Sequence, residues 1–239
     1  MSELQEYIRA DLKEHLKLDH PVCKAFLWSA LSQCEFNFAG ELLSQHTYNI
    51  HWYQLSSNPS PHAMNLLLDN PEKIKWSYLS ANPSPHAIML LEQNPEKIDW
   101  IQLSRNPSPY AKNLLEQNTD KIYWFHLSAN PSLHAINILK ANPDNIIWEG
   151  LSENPSEWAI NLLEQNPDKI CWENLSSNPS KWATHKLLEN PEKIQWIMLA
   201  QNRSEHAINL LLTNPEKIDW PMLCQNPFIF WDYYNYILK

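Results

Sequence analysis

The chain has 239 residues, of which 44% are apolar and 19% are charged, and its formal charge is −9 at pH 7. This amount of apolar material is enough for a sizeable core, while the negative charge repels phosphate backbones and excludes a general nucleic-acid binder. The four cysteines, Cys23, Cys34, Cys171 and Cys224, show neither CxxC pairing nor even spacing. We therefore expect no disulfide framework and no zinc site, and we predict reduced thiols in an intracellular, cytoplasmic protein.

The N-terminal stretch MSELQEYIRADLKEH is charged throughout and does not resemble a signal peptide. No run in the chain approaches the ~20 apolar residues of a membrane-spanning helix. Ser2 and Gln5 form a capping-box pattern, and apolar residues then recur at helical spacing: Leu4, Ile8, Leu12 and Leu16. Residues 1–27 are predicted to be a helical cap.

A tryptophan recurs every 24 residues from residue 28 onwards, without a single slip: Trp28, Trp52, Trp76, Trp100, Trp124, Trp148, Trp172, Trp196 and Trp220. A fixed period in this range is typical of stacked supersecondary units. We number each repeat from its tryptophan as position 1. Position 4 is then Leu, position 7 Asn, position 12 Ala, position 16 Leu and position 23 Ile in nearly every unit.

These positions divide the chain into segments. Residues 28–51 keep the apolar skeleton but lack both prolines and are predicted to be a degenerate entry repeat, called repeat 1 below. Residues 52–219 form seven full repeats, called repeats 2 to 8. Residues 220–239 are predicted to be a C-terminal half-repeat that caps the array.

Each full repeat has two breaks, usually Asn-Pro, and the residue before a proline is disfavoured in a helix. After the first break, Ser84 and Pro85 are typical of a helix start, and a helix of nine or ten residues is predicted. After the second break, the short stretch around Trp and Leu predicts one or two turns of α- or 3₁₀-helix. The recurrent Asn residues at positions 7 and 19 are predicted to staple the loops, with Asx-turns and tolerance of left-handed geometry.

Stacking is required for stability, because a single unit buries too little apolar surface to offset its conformational entropy. The small Ala at position 12 lets successive long helices approach closely. The tryptophans, paired with Leu at position 4 and Ile at position 23, are predicted to be core residues. The fold class is therefore all-α: an α-solenoid of 24-residue repeats, each a short α- or 3₁₀-helix plus an α-helix.

The last segment, PFIFWDYYNYILK, is unusually aromatic for a solvent-facing end. Trp231 occupies the position of the small Ala, where no following unit needs the space. This segment either folds back over the final repeat or forms a homodimer contact.

We find no catalytic motif: the two glycines cannot build a phosphate-binding loop, and no GxSxG or HExxH is present. Two repeated rows are candidate partner-binding residues. The position-11 row consists of His62, His86, Tyr110, His134, Trp158, Trp182 and His206. It is interpreted as rings packing on their neighbours, as a binding strip, or as a metal site, although helices ~8 to 10 Å apart disfavour metal ligation.

The position-14 row consists of Asn65, Asn113, Asn137, Asn161 and Asn209. It lies towards the outward ridge of the long helix, so core packing does not require Asn there. It is interpreted as an Asn ladder bonding adjacent units, or as a polar groove for an extended peptide. Variable positions 2, 3, 6, 10 and 17 would set specificity, although simple solvent exposure also produces variation.

The phrase NPSPHAIxLLEQNPEKIDWxxLSxNP, read across residues 82–107 and echoed to residue 219, resembles tandem-repeat proteins encoded by large and giant DNA viruses. It is more loosely similar to the leucine-rich repeat variant family, which also has a 24-residue period. That similarity implies alternating α- and 3₁₀-helices in a right-handed superhelix. The cysteines do not match the iron-sulfur segment of that family, and neither resemblance supplies catalytic residues.

Together these features predict a non-catalytic scaffold without a cofactor that binds a protein or peptide, in a setting that the resemblance suggests is viral. The alternative is a structural, self-assembling protein joined through its aromatic C-terminus. A metal or enzymatic role for the position-11 histidines, and nucleic-acid binding, are the remaining hypotheses.

Overall fold

A computed structural model of the chain describes residues 28–223 and residue 226. The contacts divide the chain into two compact units, with the boundary between Leu114 and Leu115. This boundary falls within the helix Lys112–Gln117 of repeat 4. Each unit is an all-α solenoid, in which every helix packs against helices that are close in sequence.

The longer helix of each repeat, the B helix, begins after the first break, as the sequence predicts. In repeats 1 to 8 the B helices are Asn37–Gln45, Pro61–Asp69, Pro85–Gln93, Lys112–Gln117, Leu133–Ala141, Glu157–Gln165, Lys181–Glu189 and Glu205–Leu212. In repeat 3, the Ser84 side chain accepts a hydrogen bond from the Ala87 amide, confirming the predicted N-cap. In repeat 4 the 3₁₀ turn Pro109–Ala111 precedes the helix.

The shorter A helix is α-helical, and in repeats 2 to 8 and in the C-terminal half-repeat it begins at the tryptophan. Residues 28–33 are helical, and the other A helices are Trp52–Ser57, Trp76–Ser80, Trp100–Arg105, Trp124–Ala129, Trp148–Glu153, Trp172–Ser177, Trp196–Gln201 and Trp220–Leu223. Within each unit, successive A helices pack against one another and against the B helix of their own repeat.

A separate 3₁₀ turn at positions 20 to 22 follows each B helix, which the two-helix prediction did not include. These turns are Thr47–Asn49, Pro71–Lys73, Pro95–Lys97, Thr119–Lys121, Pro143–Asn145, Pro167–Lys169, Pro191–Lys193 and Pro215–Lys217. Proline fits the first position of such a turn, because its φ is fixed and its missing amide is not needed there. Each repeat thus has three helical pieces.

The core lies between the A and B helices. Position 12 Ala, position 4 Leu and position 16 Leu are buried throughout the described repeats, as predicted. Position 13 is also buried in several repeats, for example at Met64 and Ile88, and the sequence analysis did not place it in the core. The outward ridge at positions 10, 14 and 17 is exposed, as the helical spacing predicts.

The tryptophans are less buried than the sequence predicts. Trp28 is 5% exposed, those from Trp52 to Trp196 are half-buried, and Trp220 is 56% exposed. Trp172 and Trp196 pack from outside against a core of Leu and Ala residues. The rings therefore border the core, and the leucines at positions 4 and 16 fill its centre.

Repeats are joined by a ladder of asparagine amides at position 7. The Nδ2 group of Asn82 donates to the carbonyls of Ser56 and Asn58 in the preceding repeat, both at 2.9 Å, and its Oδ1 accepts from the Ser84 amide. The same inter-repeat bonds are made by Asn58, Asn106, Asn154, Asn178, Asn202 and Asn226. The side chain thus forms the predicted Asx-turn and also links one repeat to the one before it.

A buried serine at position 5 extends this network. Ser80 Oγ donates to the Trp76 carbonyl at 2.8 Å and accepts from the Asp99 amide at 3.0 Å, so it fixes the approach to the next A helix. Equivalent serines occur at residues 32, 56, 152 and 176. No role was predicted for this serine.

The structure bears on two interpretations of asparagine. The position-14 residues are exposed, and no hydrogen bond joins them into a ladder among the described residues, while the polar-groove alternative stays a prediction. At position 19, Asn94 has φ −134°, outside the left-handed region, and its Nδ2 donates to the Leu90 carbonyl one helical turn earlier. Position 19 is therefore a helix C-cap.

The two predicted caps lie outside the described residues. This applies to the N-terminal helix with Ser2 and Gln5, and to the aromatic C-terminal segment with Trp231. The predicted homodimer contact through that segment stays a prediction, as does the hand of the superhelix.

Candidate functional site

The position-11 row is divided by the structure into three environments. His134 is 5% exposed, while His62, Trp158 and Trp182 are half-buried. The exposed members are His86, Tyr110 and His206. The row is therefore not a uniform strip, and its members have to be considered one repeat at a time.

His62 has a structural environment. Its Nε2 lies 3.1 Å from the Cys34 carbonyl and 3.2 Å from Ser60 Oγ, while its buried Nδ1 has no partner among the described residues. Gly40 lies directly beneath the ring, because a Cβ there would come within 2.6 Å of the His62 side chain. Burial lowers the pKa of His62, and the bond to Cys34 and the charge of Glu35 oppose this effect.

A groove of about 450 Å³ lies between repeats 6 and 7, which we call the lysine–tryptophan groove. The end of the B helix Glu157–Gln165 and Ile170 form one side, and the B helix Lys181–Glu189 forms the other. Its lining residues are Leu163, Glu164, Pro167, Ile170, Trp172, Trp182, Lys186, Asn190 and Lys193. Aromatic, basic and acidic side chains therefore meet in one concave surface.

Three contacts fix the polar side chains of this groove. Trp182 Nε1 donates to Glu164 Oε1 at 2.7 Å, so the indole is tied to the neighbouring repeat. The Lys193 ammonium lies 4.3 Å from the centre of the Trp172 ring, in a cation–π contact. Lys186 Nζ lies 2.9 Å from Glu189 Oε2, one helical turn away.

Lys186 is a departure from the repeat pattern. Position 15 is otherwise aliphatic: Leu42, Leu66, Leu90, Leu114, Ile138, Leu162 and Leu210. All of these are buried except Leu162, which is half-buried, whereas the Lys186 side chain is 35% exposed. The buried core is also divided here, since the clusters of repeat 6 and of repeats 7 and 8 are separate, and Ile170 and Trp182 pack against both. A local break in a repeated rule is a signal of function.

A second groove, of about 300 Å³, lies between the B helices of repeats 7 and 8, and we call it the histidine groove. It is lined by Thr184, His185, Leu188, His206, Asn209, Leu210 and Thr213. Leu188 and Leu212, on the outer ridges of these helices, are among the more exposed apolar side chains of the unit.

The two grooves flank one helix, Lys181–Glu189. Trp182 and Lys186 are four residues apart and share one flank, while Thr184 and Leu188 share the other. Between the flanks is an exposed ridge with His185 and Glu189. A single extended ligand could therefore contact both grooves by crossing this ridge.

Three of the predicted site residues line these grooves: Trp182 from the position-11 row, His206 from the same row and Asn209 from the position-14 row. The sequence analysis missed Lys186, Glu164 and His185. The signal for Lys186 was present in the sequence, because it breaks an otherwise aliphatic position. Glu164 could be found only from the structure, since its role depends on the orientation of the Trp182 ring.

The described residues contain no group of three or more His, Cys, Asp or Glu side chains placed to hold a metal ion. Within the same part of the chain, no helix has the length and apolar character needed to span a bilayer. The grooves offer hydrogen-bonding, charged and aromatic surfaces, which are groups suited to binding a chain or small molecule.

Comparison of the chain with family models, with curated proteins and with solved structures gives no match. The resemblance to viral tandem-repeat proteins stays a prediction based on the repeated phrase alone.

Proposed function

We propose that the protein is a non-catalytic repeat scaffold that binds a peptide or an extended segment of a partner protein across repeats 6 to 8. The observation that carries the proposal is the pair of grooves flanking the helix Lys181–Glu189. Solenoid proteins commonly bind partners along surfaces built from equivalent positions of successive repeats.

The side chains of the grooves support a peptide ligand. Trp172 and Trp182 offer flat apolar surfaces, which contribute strongly at interfaces. Asn209 and His206 offer donors and acceptors that can pair with a peptide backbone. The nine-residue helix between the grooves is short enough for an extended segment to cross.

The test is selection of a displayed library of short random peptides on the purified full chain, followed by calorimetry on the enriched sequences. A discriminating variant is Lys186→Leu, which restores the residue type found at this position in the other repeats and fills the groove with an apolar side chain. We expect it to fold at least as well as the wild type, because the position is otherwise a core leucine, and to bind the enriched peptides more weakly.

The matched control is Leu90→Lys, the reciprocal change at the equivalent position of repeat 3. The change in stability of this variant measures the cost of a lysine at position 15 in a repeat outside the grooves. Its peptide affinity per folded molecule should be unchanged. If no peptide is enriched, or if the Lys186→Leu variant binds every enriched peptide as tightly as the wild type, the proposed site is wrong.

A further inference from the structure

Resting on the peptide-binding function proposed above, we infer that the lysine–tryptophan groove selects a segment that carries a carboxylate next to an apolar side chain. This selectivity depends on how the charges of Lys186, Lys193 and Glu164 are already used within the groove.

The carboxylate of Glu164 is engaged, since it accepts the hydrogen bond from Trp182 Nε1 at 2.7 Å. Both lysines, by contrast, can take a further anionic partner. Lys193 is exposed, its ammonium lies over the face of Trp172, and no carboxylate lies within 4.0 Å of it among the described residues. A cation that is held by an aromatic face and lacks an anion is a ready site for one.

Lys186 is paired with Glu189, but the pair is solvent-exposed, with side-chain exposures of 35% and 62%. Such surface pairs are weak and are readily rearranged. An ammonium also carries three donors, so Lys186 can keep Glu189 and bind a second carboxylate. Lysine at this position replaces the aliphatic residue that the other repeats bury in the core. Because this replacement loses apolar packing, it indicates a function for the lysine charge.

The apolar half of the ligand is specified by the rings. Trp172 and Trp182 are both half-buried and line the groove with Leu163 and Ile170. An aromatic or branched side chain next to the carboxylate would displace water from these surfaces as the carboxylate reaches the lysines.

The net charge of −9 makes this groove selective. The groove lining holds two lysines and one glutamate, so its formal charge is +1 within a chain of charge −9. An acidic segment is therefore repelled by most of the surface and attracted at this groove. A basic segment is attracted to much of the surface without preference for this site.

The experiment uses three fluorescein-labelled peptides that share Leu and Phe side chains: one with flanking Asp and Glu, one with Asn and Gln in their place, and one with Lys. Binding is measured by fluorescence anisotropy on the full chain at low and moderate salt. We expect the acidic peptide to bind about tenfold more tightly than its amide counterpart, with the difference shrinking as salt is added.

The variants Lys186→Gln and Lys193→Gln should each reduce this preference, while Lys181→Gln, the same charge change on the same helix but outside the groove, should leave it intact. Circular dichroism confirms that all three variants remain helical. The inference is wrong if both groove variants still bind the acidic peptide more tightly than its amide counterpart, or if the basic peptide binds best. In either case the proposed peptide-binding function is unaffected. If none of the three peptides binds and library selection also returns no peptide, both the inference and the proposed peptide-binding function are wrong.

Discussion

At the scale of single residues, the position-7 asparagine makes three hydrogen bonds through its side chain, two of them to the preceding repeat. Asn82→Ala removes two bonds to buried carbonyls of the preceding repeat and the Asx-turn that starts the next helix. We expect a loss of roughly 2 to 4 kcal/mol in the free energy of unfolding, because buried carbonyls are left without partners. Urea denaturation measures this loss, with Asn65→Ala, a change at an exposed position-14 residue, as the control. If the two variants lose the same free energy of unfolding, the position-7 asparagines do not stabilise the contact between repeats.

Gly150 provides a second test at this scale. A Cβ at this position would lie 2.2 Å from the Phe125 carbonyl oxygen in the preceding A helix, so only glycine permits this approach. Alanine normally favours a helix by ~1 kcal/mol relative to glycine, yet Gly150→Ala should destabilise the protein by about 1 to 3 kcal/mol through overpacking. If the thermal unfolding midpoint of Gly150→Ala equals or exceeds that of the wild type, the two A helices can move apart without loss of stability.

His62 predicts a dependence on pH. Because burial lowers its folded pKa, the unfolded chain binds more protons in the window just below the ordinary histidine pKa. The contribution of His62 to stability is therefore fully present above about pH 6.5 and is lost as the pH falls through the folded pKa. We expect the urea midpoint of the wild type to fall more between neutral and mildly acidic pH than that of His62→Gln.

The control for this comparison is His86→Gln, because His86 is the exposed member of the same row in the next repeat. Its midpoint should follow the wild type across the pH range. If His62→Gln and His86→Gln show the same pH dependence, the environment of His62 is not responsible.

At the scale of the helices, the repeated phrase predicts where helices begin and end better than how deeply their side chains are buried. In repeat 3, Ser84 before Pro85 starts the B helix, and the helix ends before the second proline, Pro95. The burial of Trp was overestimated: in the six-residue helix Trp196–Gln201 the buried residues are Leu199 and Ala200, and Trp196 packs half-buried against their core. Short A helices leave the leucines in the centre and the rings at the border.

Trp196→Ala tests this revised interpretation of the tryptophans. The ring packs from outside on the core of repeats 7 and 8 and is half-buried. We expect it to contribute about 2 kcal/mol to the free energy of unfolding, less than the ~3 to 5 kcal/mol of a fully buried ring. Guanidinium denaturation of Trp196→Ala beside Leu199→Ala, a fully buried residue of the same helix, should rank the leucine change as the more damaging.

At the scale of the whole molecule, the period of 24 residues matters because the inter-repeat bonds connect residues at fixed separations. Asn82 reaches back 24 residues to Asn58 and 26 residues to Ser56, so the ladder requires repeats of constant length. In such quasi-one-dimensional proteins, stability grows with each added interface between neighbours. Duplicating residues 76–99 should preserve the ladder and raise the urea midpoint.

The comparison for that duplication is an insertion of equal length made of glycine and serine at the same point. It should lower the midpoint, because it separates two repeats without supplying the bonds between them. Circular dichroism should show added helix only for the true duplicate. A duplicate that unfolds more easily than the wild type would argue against additive interfaces.

The sequence by itself determined the period, the helical breaks, the small Ala at the helix contact and the all-α solenoid class, since these follow from local backbone chemistry and from a pattern repeated along the chain. The sequence also shows that Lys186 departs from the aliphatic residues found at position 15 in the other repeats. Only the tertiary structure decided which asparagine joins the repeats, how far each tryptophan is buried, and that Trp182, Glu164 and Lys186 meet in one groove. The physical reason is that these features depend on how side chains of different repeats approach one another, and a pattern read within one repeat carries no information about that distance.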